Sequence, residues 1–146
     1  MIKARYLYVI VLGCSRLGAY IASHLSRIGH SVVIVDAEES SFLFLDTDFS
    51  GFRIEGNPVE MAVLHQAKIG QADIVIATTR DDNINIMVAQ IAKEIFNVPH
   101  VLARVLDPDR ETVYHAKHIH TICPTSVAGD LFLKTITDIN MGKPAE

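Results

Sequence analysis

Clusters of apolar residues recur along the chain at 7–12, 32–35, 52–54, 74–77 and 101–105, built largely from Val, Ile and Leu and closed off by Gly, Asp, Asn or Pro. Runs this short, bounded by turn formers, predict strands. Most lack polar alternation, which marks strands buried on both faces. Between them the apolar positions change to a 3.6-residue period: Leu17, Ile21, Leu25 and Ile28; then Val59, Val63, Leu64 and Ala67; then Ile84, Val88, Ile91, Ala92 and Ile95. Each stripe predicts a helix laying one face on a sheet. Strand and helix alternate, so the expected fold class is α/β, with parallel strands, right-handed crossovers and helices on both faces.

Three segments fit the alternation less simply. Glu39 to Asp48 carries a dense FLFL patch with little periodicity, which predicts a short helix pressed on the sheet edge. Asp107 and Pro108 open a further helix, Asp as N-cap and Pro in the first turn, running to about Lys117. A last strand, His120 to Cys123, gives way at Pro124 to a helix over Thr125–Ile139. Its apolar residues Val127, Leu131, Phe132, Leu133, Ile136 and Ile139 spread around more than one face. A helix that apolar is expected to dock on a partner subunit.

The 146 residues suit one domain, expected over 1–140 with a frayed tail at 141–146. Thirteen Lys and Arg against 17 Asp and Glu leave a net charge of −4, which gives no basic footprint and disfavours a nucleic-acid partner. The longest apolar run falls short of the roughly twenty residues of a spanning helix, and no signal-peptide pattern opens the chain. The expectation is a cytoplasmic protein. Cys14 and Cys123 lie far apart and predict reduced side chains rather than a disulfide framework.

The chemistry concentrates where VIVLGCSRLG runs from a strand into a helix. Gly13 permits the tight exit from the strand, Gly18 permits close approach of helix to sheet, and the amides of the helix start attract phosphate. With the βαβ context this predicts a Rossmann-type, doubly wound parallel sheet of about six strands in the order 3-2-1-4-5-6. The middle glycine of the usual fingerprint is Ser15, which puts a Cβ near the phosphate path and is expected to shift the ligand or to favour a mononucleotide. Cys14 reads as a small filler, or as a reactive thiol if the helix start lowers its pKa. Arg16 is expected to contact the phosphate, with a solvated surface role as the alternative.

Asp36 ends the second strand where an acid accepts from ribose hydroxyls, which favours NAD or ATP-type ligands over NADP; a strand-end acid or helix cap is the alternative. Asn57, after the third strand, is read equally as a contact to base or ribose and as a helix cap. Thr78, Thr79 and Arg80 leave the fourth strand at the switch point, in reach of phosphate or ribose. Asp81, Asp82 and Asn83 read as the cap and first turn of the next helix. Arg104 puts one charge in an apolar strand and wants an anion, either a ligand phosphate or Asp107, Asp109 or another nearby acid. His115, His118 and His120 lack a Cys or carboxylate to complete a metal set, and no catalytic nucleophile arrangement is visible.

GCSRLG, IVD at Asp36, RIEGNP, QAKIG, ADIVIATTRDDNINIMVAQIAKEIFNVPHVLARV and DPDR resemble the N-terminal domain of the RCK (KTN, TrkA N) proteins, regulators of potassium channels and transporters. The resemblance covers roughly Tyr6 to Ile136. It implies binding of an adenine nucleotide, NAD(H), ATP, ADP or AMP, without turnover, so no enzymatic activity is expected. By position it puts phosphates on Gly13, Cys14, Ser15, Arg16 and Leu17, with Gly18 closing the motif. Asp36 would take the ribose, Asn57, Thr79 and Arg80 the pocket rim, and Arg104 the phosphate side. The resemblance also implies pairing through the Thr125–Ile139 helix into a homo- or hetero-oligomeric ring of dimers beneath a membrane potassium channel or transporter. Many members of the family carry a second, C-terminal RCK domain; the expectation is that this chain lacks it and that a separate subunit supplies it if one is needed. A small NAD-dependent oxidoreductase and a stand-alone nucleotide sensor are the alternative readings.

Overall fold

The computed structural model describes residues 4–115 and 119–144. Six parallel strands form one sheet: β1 (Tyr8–Leu12), β2 (Ser31–Asp36), β3 (Phe52–Glu55), β4 (Ile74–Ala77), β5 (His100–Arg104) and β6 (His120–Ile122). Their spatial order is β3-β2-β1-β4-β5-β6, the order expected from the sequence. β1 pairs with β2 on one side and β4 on the other, Leu12 standing opposite both Val35 and Ala77. The chain reverses its direction of build here, and a parallel sheet opens its crevice at such a point.

Strand periodicity divides the core between two faces. Ile10, Leu12, Val33, Val35 and Val75 point to one side, where α2 (Met61–Gln66) and α3 (Asp82–Gln90) pack through Leu64, Val88 and Ala89. Val9, Val11, Val32 and Ile34 point to the other, where α1 (Arg16–Arg27) presents Ala19 and Ala22. Both faces being covered, the central strands read as unbroken apolar runs.

Several segments differ from their predicted form. The FLFL patch forms a 3₁₀ turn at Glu39–Phe44, because only Phe42, Leu45 and Phe49 find the α1 face while Leu43 is exposed. α2 is shorter than its apolar stripe, since Asn57–Glu60 folds as a turn ahead of it. α3 continues as a single π-helical segment over Ile91–Ile95. α4 is described over Pro108–His115, with Asp107 Oδ1 accepting from the Asp109 amide at 3.0 Å; Lys117, its expected end, lies outside the described residues. α5 (Pro124–Asn140) matches the predicted terminal helix to within a residue at each end and buries no residue of its own. No helix among the described residues is long and apolar enough to cross a membrane.

Candidate functional site

A cavity of about 360 Å³ opens at the carboxyl ends of β1, β2, β3 and β4. It is lined by the turn residues Gly13, Cys14 and Ser15, by Asp36, Ala37, Glu38 and Ser41 after β2, by Asn57 and Pro58 after β3, and by Thr79, Arg80 and Ile84 around the start of α3. Its size lies in the range of small-molecule sites.

The floor is the β1–α1 turn, and its shape depends on two glycines. Gly13 has φ +106, and a Cβ there would stand 2.5 Å from the Thr79 nitrogen. A Cβ on Gly18 would stand 2.1 Å from the Gly13 carbonyl oxygen and 2.7 Å from Thr78 Oγ1. Helix and sheet approach this closely only without side chains. Thr78, buried at the end of β4, donates from its hydroxyl to the Gly13 carbonyl at 2.9 Å and so pins the turn to the neighbouring strand.

Ser15 has a role that the fingerprint spacing concealed. It is the N-cap of α1: its hydroxyl accepts from the Gly18 amide at 3.2 Å and donates to the Thr78 carbonyl at 2.7 Å. The hydroxyl is therefore turned into the protein, and Ser15 is buried. Among the described residues the amides of Ser15, Arg16 and Leu17 make no hydrogen bond, and the first turn of α1 contains no acid. Unpaired amides at a helix start concentrate positive potential.

Asp36 faces the same turn. Its Oδ2 accepts from the Cys14 amide at 2.8 Å and its Oδ1 from the Glu38 amide at 2.8 Å, so the carboxylate is held in place with each oxygen keeping a further lone pair. The reactive-thiol reading of Cys14 is overturned. Burial, reinforced by the charge of Asp36 and opposed by Arg53, pushes the thiol up to about 11, and Sγ donates to the Ser41 carbonyl at 3.2 Å.

Asn57 lies on the cavity wall and accepts from the Val59 amide at 3.1 Å, closing a local turn; Glu60 takes the N-cap position of α2. Thr79 and Arg80 line the wall opposite Asp36. Asp81 caps α3, accepting from the amides of Asn83 and Ile84 at 2.8 and 3.2 Å.

Five residues predicted for the site stand outside the lining, Thr78 among them, its hydroxyl spent on the Gly13 carbonyl. Gly18 serves packing, Leu17 is half-buried, and the Arg16 guanidinium lies 5.5 Å above the Phe44 ring. Arg104 departs furthest from expectation, because neither a free approach to the cavity nor an ion pair with Asp107 or Asp109 forms. Its Nη2 donates to the carbonyls of Thr78 and Thr79 at 3.0 and 2.7 Å, holding the β4–α3 turn from behind. Burial lowers its pKa, Asp82 acting in the opposite sense and Arg80 in the same one. No spacing rule predicts a guanidinium bonding the carbonyls of the neighbouring strand. His118 lies outside the described residues, and among the described residues no three His, Cys, Asp or Glu side chains gather as a metal site.

Sheet order, crevice and turn together define a Rossmann-type domain with its concave site at the switch point. The chain belongs to the TrkA-N domain family, whose model matches residues 9–124. It is 33% identical over 130 residues to the Trk system potassium uptake protein TrkA of Streptomyces coelicolor, covering 89% of this chain and 58% of that protein. It is 30% identical over 132 residues to the TrkA homolog of Methanothermobacter thermautotrophicus, covering 90% of this chain and 61% of that protein. The chain thus spans about three fifths of the length of these curated relatives. Among solved structures, the GsuK channel bound to NAD superposes with a TM-score of 0.80 at 19% identity, over 96% of this chain and 25% of that one. The Kef CTD of Shewanella denitrificans in its AMP-bound form superposes with a TM-score of 0.78 at 17% identity, over 94% and 84%. At these identities the structural likeness establishes the fold.

Proposed function

We propose that this chain is the nucleotide-binding regulatory domain of a potassium transport system, with an adenine nucleotide as its ligand. The observation that carries the reading is the start of α1 beside the cavity: the unpaired amide of Ser15 in the floor, continued by the unpaired amides of Arg16 and Leu17 just beyond the lining, with a fixed carboxylate, Asp36, in the same lining. The amides suit a phosphate and the carboxylate suits ribose hydroxyls, so the residues fit the group. Arg16, one residue into α1, would leave the Phe44 ring to meet the same phosphate. Glu38 adds a second carboxylate to the lining beside Asp36, so a 2′-phosphate meets like charge and NADP is rejected. The TrkA relatives and the NAD-, ADP- and AMP-bound neighbours support this reading.

The domain works by binding, without turning the nucleotide over. Val127, Leu131, Phe132, Leu133, Ile136 and Ile139 of α5 are all more than half exposed, an apolar surface that pairs with a second such domain. Dimers assemble into a ring on the cytoplasmic side of the membrane. A nucleotide that prefers one shape of the ring shifts it toward that shape, and the ring acts on a channel or transporter subunit.

Thermal-shift titration with AMP, ADP, ATP, NAD, NADH and NADP tests the ligand class. A ligand at a hundred times its Kd adds about 2.7 kcal/mol of stability. At least one of the first five is expected to shift the transition, NADP binding at least about tenfold more weakly. No shift with any adenine nucleotide would refute the reading, and steady NADH oxidation by the isolated domain would move it to the oxidoreductases.

A further inference from the structure

The run Asp81-Asp82-Asn83-Ile84-Asn85 has the composition of an ordinary capping turn, yet Asp81 alone caps its own helix. The other three polar side chains reach away from α3, each to a different element.

Asn85 is fully buried and uses its whole hydrogen-bonding capacity. Its Oδ1 accepts from the Thr79 amide at 2.8 Å and the Thr79 hydroxyl at 2.6 Å, and its Nδ2 donates to the carbonyls of Thr79 and Arg104, both at 3.0 Å. Every polar group of Thr79, a residue of the cavity wall, is thus held by one side chain. Asp82, buried a turn earlier, accepts from the amides of Leu106 and Asp107 at 2.7 and 3.1 Å. Asp107 is the residue whose carboxylate caps α4. Asn83 completes the set: its Oδ1 accepts from Arg110 Nη1 at 3.1 Å and from the Tyr114 hydroxyl at 3.5 Å, both on α4.

We propose that the first turn of α3 is a coupling element, in which Asn85 grips the cavity wall while Asp82 and Asn83 grip the start and body of α4, so that occupancy of the cavity is felt at α4. The inference rests on the nucleotide reading above and names the positioning residues that connect that site to the far side of the domain. From α4 the contacts continue to the terminal helix, since Ser126 Oγ of α5 donates to Glu111 Oε2 at 3.2 Å. The loop between β5 and α4 is tied to the same region, its Val105 amide donating to the Ile122 carbonyl at 3.0 Å. A small displacement of Thr79 and Arg80 on ligand entry has a polar path of well-formed hydrogen bonds to α4, because the turn between them is rigidly capped and internally satisfied.

Amide hydrogen exchange with and without AMP, and in a parallel series NAD, tests the device in the intact domain. In the wild type, exchange slows at 15–17, where the phosphate binds, and by at least about 5-fold at 106–115, the lower end of ordinary coupling. Asp82→Asn replaces one acceptor by a donor facing an amide, and Asn83→Ala removes the exposed link to α4. Both are expected to keep the response at 15–17 while that at 106–115 falls to within 2-fold of none; the thermal midpoint of each free variant confirms folding, and Asn83→Ala, on the surface, tests the link if Asp82→Asn unfolds. Slowing at 15–17 alone in the wild type, or an undiminished response at 106–115 in a folded variant, overturns the coupling and leaves the nucleotide site standing. No slowing at 15–17 with either nucleotide removes the site, and the coupling with it.

Discussion

The switch point is flanked by two strand-to-helix turns that do opposite things with the same materials. After β1, the turn Gly13–Ser15 leads into α1 with one capping bond and leaves three amides unpaired, with no acid in the first turn. After β4, the turn Thr78–Asp81 leads into α3 with two capping bonds from Asp81, a second acid at Asp82, and Thr79 bound at every polar group. A helix start attracts anions only while its donors are free and its local charge is not already negative. On the proposed reading the α1 turn is the receptor for a phosphate and the α3 turn is a strut, although both sit at the carboxyl ends of neighbouring strands.

The difference can be broken most severely at the point where the two turns touch. Gly18→Val forces a Cβ against the Gly13 carbonyl and the Thr78 hydroxyl; the loss is expected at about 3 kcal/mol or more in urea unfolding. A stability within 1 kcal/mol of wild type would mean that the helix and sheet are not in close contact there.

Asn85→Ala attacks the strut alone. It strips partners from the Thr79 amide and carbonyl in a fully buried site, and about 2 kcal/mol of destabilisation is expected by the same measurement. Ser15→Ala attacks the receptor side: losing the cap and the bond to Thr78 costs about 1 kcal/mol, while nucleotide affinity by calorimetry stays within about 2-fold because the hydroxyl faces inward. A tenfold fall in affinity would show that Ser15 touches the ligand directly.

The smallest effect is one of pH. Because burial raises the Cys14 thiol from 9.0 to about 11, the folded state disfavours the thiolate. The sign follows: this contribution to stability is intact below pH 9 and is lost as the pH climbs toward 11. Iodoacetamide at pH 8 should accordingly label Cys14 about 100-fold more slowly in the folded than in the unfolded chain, and equal rates would contradict the buried, acid-facing geometry.

The geometry of the α1 turn was legible in the sequence and that of the α3 turn was not, for a physical reason. Gly13, Gly18 and Asp36 act through backbone conformation and strand ends, which spacing encodes directly. Arg104, Asn85 and Asp82 act on carbonyls and amides of other strands and loops, and their partners exist only once β4 and β5 lie side by side. The fold class followed from alternating periodicities and the strand order from the β1–α1 motif in its βαβ context, whereas the 3₁₀ turn at Glu39–Phe44 and the π segment at Ile91–Ile95 depend on which apolar side chains find space. The capping role of Ser15 was not legible because a fingerprint position says where a Cβ lies, not that its hydroxyl can turn inward as a cap.

Backbone amide NMR during an AMP titration, with a parallel NAD titration, puts the central claim to its most direct test. The largest shifts are predicted at Ser15, Arg16 and Leu17, with Asp36→Ala weakening the affinity at least about tenfold. Largest shifts at Asp81 to Asn85 instead, or an affinity that Asp36→Ala leaves unchanged, would contradict the assignment of receptor and strut.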